Sequence, residues 1–336
     1  MPLDVIVEIG NSHEGSLGIA KSFVEMVAET GAKTVKFQMH LAEHEGTKDE
    51  PFRKIFSAQD QSRADYWRRV NFTPDGWRDL IEFTFNQGLE FLCTPFSREA
   101  ADLLVEMNAV KRWKVGSGDA PNIPFIDHLI QTNLPIVLST GLVSWQEILK
   151  IVGRFEQKNA KDRLTLMHCV SMYPTPLESS SLNLIDELKQ LGVGVGLSDH
   201  SGKVSTALSG IAKGIKTLEV HMAPHKKFFG PDTTSSLLPE EISTIIEISR
   251  DWDVLNAHPN SKELLFNQSE PLRKIFRKGI YLAIDKNAGT QITFEDLRFL
   301  KPVQGLDAID FEGVLGKKIH REIRAGNPLS RIDFEG

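Results

Sequence analysis

Two histidines, two lysines and a set of hydroxyls and carboxylates stand at or near the ends of short apolar runs in this chain. His200 closes the run Val195-Gly196-Leu197-Ser198-Asp199-His200, and His221 closes Leu218-Glu219-Val220-His221. Side chains two apart on a strand share a face, so Ser198 belongs with His200, Glu219 with His221 and Lys36 with Gln38. If the last two runs are neighbours, both imidazoles can approach one cation. With oxygen ligands and water they suit Mn²⁺, Co²⁺ or Zn²⁺, whereas Mg²⁺ prefers more oxygen. The alternative is a pair of hydrogen-bonded histidines inside the fold. Lys36 and Lys114 fall within apolar runs, where an ammonium must face an opening or find a partner. They are candidates for fixed cations that bind an anionic substrate, or for a lysine that forms an imine. Thr94, Ser117, Ser139 and Ser198 add hydroxyls on separate runs. Together with the lysines they point to a small molecule carrying phosphate and carboxylate. Glu8, Asp119, Glu219 and Asp232 supply carboxylates for proton transfer, for sugar hydroxyls or for support of metal ligands. Any one of them alone is equally a salt-bridge partner. His128, His168 and His320 carry no such partner pattern and read as structural or surface residues.

Eight such runs occur, and most are separated by helix-like segments. The first six are Val5-Ile6-Val7-Glu8, Thr34-Val35-Lys36-Phe37-Gln38, Glu90-Phe91-Leu92-Cys93-Thr94, Trp113-Lys114-Val115-Gly116-Ser117, Ile136-Val137-Leu138-Ser139 and Leu164-Thr165-Leu166-Met167-His168. Alternating strand and helix argues for a parallel sheet, and eight units closing on themselves give a (β/α)₈ TIM barrel. Active sites of that fold lie at the carboxyl ends of the strands, where the polar residues fall. The polar stretch His40–Asn71 interrupts the alternation and suits a lid or substrate loop over the mouth. Helices are predicted from Leu17, Thr73, Ser97, Ile123, Ser144, Ser181 and Pro239. The barrel is expected to occupy residues 1–257, a polar linker 258–275, and a small, mostly β module 276–336. A module of that size is expected to lean on a partner.

The bulk properties exclude several classes. A net charge of −6 over 336 residues, with no basic block, disfavours nucleic acid and anionic membranes as partners. No apolar stretch approaches the roughly 20 residues that span a bilayer. The first strand begins too early to leave room for a signal peptide. The two cysteines, Cys93 and Cys169, read as buried reduced thiols rather than a redox pair. A soluble cytoplasmic enzyme is the expectation.

The chain resembles the sialic acid synthases, which condense phosphoenolpyruvate with amino sugars. The resemblance rests on Glu8-Ile9-Gly10-Asn11-Ser12-His13-Glu14-Gly15, Val35-Lys36-Phe37-Gln38, Cys93-Thr94-Pro95-Phe96-Ser97, Lys114-Val115-Gly116-Ser117-Gly118 and Leu138-Ser139-Thr140-Gly141. Tyr173-Pro174-Thr175-Pro176, Gly196-Leu197-Ser198-Asp199-His200, Glu219-Val220-His221 and Gly230-Pro231-Asp232 continue it in order. The tail resembles an antifreeze-like domain in Leu315-Gly316-Lys317-Lys318 and Ile323-Arg324-Ala325-Gly326.

The resemblance implies that Lys36, Thr94, Lys114, Ser117, Ser139, Ser171 and Ser198 hold phosphoenolpyruvate. It also implies that His200 and His221 bind a divalent metal, commonly Mn²⁺, with Mg²⁺ or Co²⁺ as alternatives. Glu8, Gln38, Tyr173 and Asp232 then surround the metal and the sugar, and a domain-exchanged homodimer completes the site. Three departures stand out. Asp119 replaces a frequent glutamate, and Ser171 replaces a frequent asparagine. Lys301-Pro302 stands where an arginine-proline pair grips the acceptor's N-acyl group. Two rivals remain, a class I aldolase working through Lys36 or Lys114 and a non-catalytic saccharide-binding barrel.

Overall fold

The computed structural model describes residues 2–47, 49–53, 59–257 and 260–334. They divide into two units, Met1–Asn256 and Ala257–Gly336. In the first, the strands are β1 (Asp4–Gly10), β2 (Thr34–Met39), β3 (Glu90–Pro95), β4 (Trp113–Val115), β5 (Ile136–Ser139), β6 (Leu164–Cys169), β7 (Gly194–Asp199) and β8 (Thr217–Met222). A two-residue strand, β9 (Ser236–Leu237), pairs with the end of β8. The helices are α1 (Leu17–Thr30), α2 (Ala42–Glu45), α3 (Arg63–Val70), α4 (Pro74–Asn86), α5 (Arg98–Glu106), α6 (Ile123–Gln131), α7 (Trp145–Gln157), α8 (Leu184–Lys189), α9 (Val204–Ala212) and α10 (Pro239–Ala257). All ladders among β1–β8 are parallel, in the order β3-β2-β1-β8-β7-β6-β5-β4. The end strands β3 and β4 pack against each other, which brings the sheet round into a (β/α)₈ TIM barrel.

The two-residue period of each strand sorts its side chains. Val5, Val7 and Ile9 of β1, Val35, Phe37 and Met39 of β2, and Phe91 and Cys93 of β3 join the hydrophobic layer with the helices. Their neighbours Glu8, Lys36, Gln38, Thr94, Lys114, Ser139, Ser198, His200, Glu219 and His221 line one cavity. Beneath the polar layer lie the buried Ile6, Leu92, Val137 and Met167, and at the strand starts Arg112 bonds Asp4, Thr34 and Glu90. A Cβ on Gly196 would lie 2.4 Å from Met167 Sδ and 2.5 Å from the Thr217 carbonyl, so only glycine fits there.

Local sequence sets the helix starts. The Ser16, Thr73, Ser97 and Asn122 side chains each accept a first-turn N–H, and Ser62 and Ser144 form reciprocal capping boxes with Asp65 and Glu147. One start differs from expectation. α8 begins at Leu184 rather than Ser181, because Ser181 takes φ 45°, outside the right-handed helical region. The His40–Asn71 stretch is not simply irregular, since α2 and α3 form within it.

In the second unit, two short helices, α11 (Lys262–Gln268) and α12 (Glu270–Phe276), occupy much of the stretch expected to be a polar linker. The pair β10 (Gly279–Leu282) and β11 (Leu297–Leu300) is antiparallel. Ile280, Leu282, Ile292, Val314, Ile319, Ile323 and Leu329 form a small core. Isolated bridges and 3₁₀ turns make up much of the rest. Among the described residues of this unit, β10 and β11 carry the ladder.

Candidate active site

The cavity at the carboxyl ends of the strands has a volume of about 450 Å³. Glu8, Lys36, Gln38, Thr94, Lys114, Ser117, Ser139, Ser171, Tyr173, Ser198, His200, Glu219, His221 and Asp232 all line it. Two sequence candidates do not. Asp119 follows the lining residue Gly118, and its carboxylate accepts from Asn122 at 3.4 Å. Lys301 belongs to the second unit, where its ammonium lies 5.4 Å from the Phe276 ring centre.

The floor of the cavity is a buried charge cluster. Lys36 Nζ lies 2.7 Å from Glu8 Oε2 and 3.7 Å from Glu219 Oε1. Lys114 Nζ reaches the same Glu219 Oε1 at 3.2 Å. Lys36 also donates to Thr94 Oγ1 at 3.1 Å, and Ser198 Oγ to Glu219 Oε1 at 3.2 Å. Burial favours uncharged forms, but opposite charges at this range outweigh it for two of the groups. Burial pushes the Glu219 carboxyl up, yet the Lys114 and Lys36 ammonium groups hold it below its usual range. Burial likewise pushes Lys36 down, and Glu219 and Glu8 together raise it above its ordinary value. Around Lys114, burial outweighs the attraction of Glu219 and the Lys36 charge adds repulsion, so its pKa is held below the ordinary value. Ser139 Oγ and Glu219 Oε2 are buried without a hydrogen-bond partner among the described residues. Buried polar atoms left open in this way call for a water or a bound group as partner.

The histidines sit above this floor. Their ring centres are 5.4 Å apart. His200 Nδ1 lies 3.0 Å from the Val170 carbonyl, which only a donor can satisfy, so the proton is on Nδ1 and the Nε2 lone pair is free. Burial, with His221 adding to it, holds the His200 pKa down at about 3. An imidazole fixed through its other nitrogen to a carbonyl is the arrangement of a metal ligand. No group of three His, Cys, Asp or Glu converges as a cage among the described residues. A divalent ion here would have two imidazole nitrogens and would need its oxygen ligands from water or substrate.

One wall lies outside the strand pattern. His40, just after β2, is stacked between Trp67 at 3.6 Å and Phe96 at 4.2 Å. Burial keeps its imidazole neutral and raises the Glu45 carboxyl to about 8. Their 2.7 Å contact is then a carboxyl O–H donating to Nδ1, and His40 Nε2 donates to Gln38 Oε1 at 3.2 Å. Asn11 donates to the same Gln38 oxygen at 3.3 Å, and Gln38 Nε2 donates to Glu8 Oε1 at 2.6 Å. Gly10, at φ 58°, makes the tight turn beside this pair.

Residue-type reasoning passed over His40, Glu45, Arg53, Arg63, Tyr66 and Trp67. Their only signal is membership of the polar stretch expected to cover the mouth. Cys169 is a free, buried thiol, as its place in an apolar run predicts, and it also lines the cavity, 3.6 Å from Ser117 Oγ.

A model of the NeuB family matches residues 23–258. The N,N'-diacetyllegionaminic acid synthase of Legionella pneumophila is 28% identical over 336 residues, covering 97% of this chain and 92% of that protein. The N-acetylneuraminate-9-phosphate synthase of Homo sapiens is 27% identical over 323 residues, covering 95% and 89%. Among solved structures, the N-acetylneuraminic acid (sialic acid) synthetase of Leptospira borgpetersenii serovar Hardjo-bovis, in complex with citrate, matches with a TM-score of 0.70. It is 25% identical, and the match covers 82% of this chain and 93% of that one.

Proposed function

The chain belongs to the NeuB family, and from that premise we propose that it condenses phosphoenolpyruvate with the open-chain aldehyde of an N-acyl-mannosamine-type sugar. The products are a nonulosonic acid and phosphate. The observation that carries this reading is the convergence of two buried ammonium groups, Lys36 and Lys114, on one carboxylate oxygen of Glu219. An anion entering there meets fixed cations and several hydroxyls with little solvent to reorganise. In this reading Lys36, Thr94, Lys114, Ser117, Ser139, Ser171 and Ser198 hold the phosphate and carboxylate of phosphoenolpyruvate. Gln38, Tyr173 and Asp232 hold the sugar.

The π electrons at C3 of phosphoenolpyruvate form a bond to the aldehyde carbon, and water adds at C2. Phosphate then leaves from the tetrahedral carbon by C–O cleavage. Glu8 and Glu219 orient the lysines and are placed for proton movement, with Asp119 at the edge. A divalent ion held by His200 and His221, Mn²⁺ first among candidates, would polarise the aldehyde oxygen. The reading extends to a homodimer in which each small unit covers the partner's barrel and brings Lys301 to the acceptor. The exposed Leu272, Ile275 and Phe276 of α12 support an association of this kind.

The test is a panel of N-acyl hexosamines, free, 6-deoxy and phosphorylated, offered with phosphoenolpyruvate while phosphate release is followed. At least one is expected to turn over, with activity lost to chelator and restored by Mn²⁺. The protein should retain Mn²⁺ through gel filtration, and His200→Ala should not. Full turnover in chelator would remove the metal. The depressed Lys114 ammonium gives the imine reading its one support. Borohydride added with substrates is expected to leave Lys114 and Lys36 unmodified, and a trapped adduct would replace condensation by aldolase chemistry.

A further inference from the structure

Arg53 enters the cavity from the segment after β2, away from every strand end. Its Nη2 donates to Asp232 Oδ1 at 2.5 Å. Its guanidinium carbon lies 4.0 Å from the centre of the Tyr173 ring. Tyr173 lies in turn 4.2 Å, ring centre to ring centre, from His200. One cation is therefore held by an edge and by a face, against Asp232 and Tyr173, two of the three residues assigned above to the sugar. Ring by ring it leads to the histidine beside which the aldehyde must lie.

Holding the side chain at two points restricts its rotamers before substrate arrives, which favours recognition. The described residues engage only Nη2, and the side chain is 43% exposed. The donors on Nη1 and Nε are the remainder of a planar fork at the mouth. As a strap alone, an ion pair this exposed contributes little, and lysine would make it equally well. The planar fork is what lysine cannot supply. Because Asp232 already balances the charge, the arrangement suits an uncharged carbonyl oxygen better than a second phosphate, which would compete with that carboxylate.

We propose that Arg53 is a specificity-determining contact for the acceptor, reading the carbonyl oxygen of its acylamino group from within the barrel unit. The inference rests on the condensation reading. It is tested with the full-length protein, phosphoenolpyruvate, and N-acetylmannosamine and mannose as paired acceptors. Wild-type protein is expected to prefer the N-acyl sugar. Arg53→Lys, which keeps the ion pair, and Arg53→Ala should each lower that preference in kcat/KM by about 10-fold or more, the scale of one charge-assisted hydrogen bond. The KM for phosphoenolpyruvate should stay within about twofold, as expected when only the acceptor contact is lost. Calorimetry with N-acetylmannosamine alone should show a parallel fall in affinity, which keeps the test independent of turnover. Wild-type preference and affinity in Arg53→Lys would overturn this proposal and leave the condensation intact. No phosphate release by wild-type protein with any acceptor would sink both.

Discussion

At the scale of residues, the two buried lysines are not equivalent. Lys36 sits between two carboxylates and is stabilised as a cation, while Lys114 shares one and is pushed toward neutrality. Lys36 is therefore the dependable charge for an anion. Lys36→Ala should raise the KM for phosphoenolpyruvate by about 10- to 150-fold or abolish turnover, the range of a charge-assisted contact worth roughly 1.5–3 kcal/mol. Lys158→Ala, at the exposed end of α7, is the control. Steady-state kinetics on both variants decide it, and wild-type behaviour in Lys36→Ala would free that lysine of the role. The strand-end residues were legible beforehand because a two-residue period fixes direction as well as position. Once Val35 and Phe37 are apolar neighbours of the helices, Lys36 and Gln38 have only the interior to face. Arg53 and His40 have no such period. Nothing in their spacing says which way a loop will turn.

At the scale of elements, the described part of the segment from His40 to Asn71 does more than line the cavity. Its imidazole, held between Trp67 and Phe96, fixes the Gln38 amide, and through it Glu8 and Lys36. That this segment reaches the mouth was legible from its length and polarity, but α2 and α3 were not, because neither repeats an apolar pattern long enough to register. The element carries a pH signature. Burial raises Glu45 from 4.5 to about 8, so between those values the folded chain keeps a proton that the unfolded chain has released. Stability must fall as pH rises through that window. His40 acts oppositely below its ordinary 6.5, since burial keeps it neutral, so the interval from about 6.5 to 8 isolates Glu45. Glu45→Gln should flatten the decline of Tm across that interval. Thermal melts of both proteins in stepped buffers check this, and identical slopes would show that Glu45 does not titrate there.

At the scale of the whole molecule, eight strand-like runs were enough to give the barrel. Residues 257–336 were harder to read, because their core depends on bridges and 3₁₀ turns between distant segments. Sedimentation of the full chain is expected to give a dimer. Residues 1–256 expressed alone should keep helical and strand signals but lose synthesis, and Lys301→Ala should change the sugar's constants more than those of phosphoenolpyruvate. A fully active monomer would refute the exchanged assembly, and an unchanged sugar KM in Lys301→Ala would take that lysine out of the site.

The ring of strands has one interval without a ladder among the described residues, between β3 and β4. Thr94 stands on one side of it and Lys114 on the other. A substrate anion that engages both would bridge the interval with its own oxygens, completing the circumference that the backbone leaves open. Ligand binding would then add free energy at the one interval held by packing without a ladder among the described residues. The same molecule would be at once reactant and fastener, so a barrel between turnovers would breathe along this line more readily than one at work.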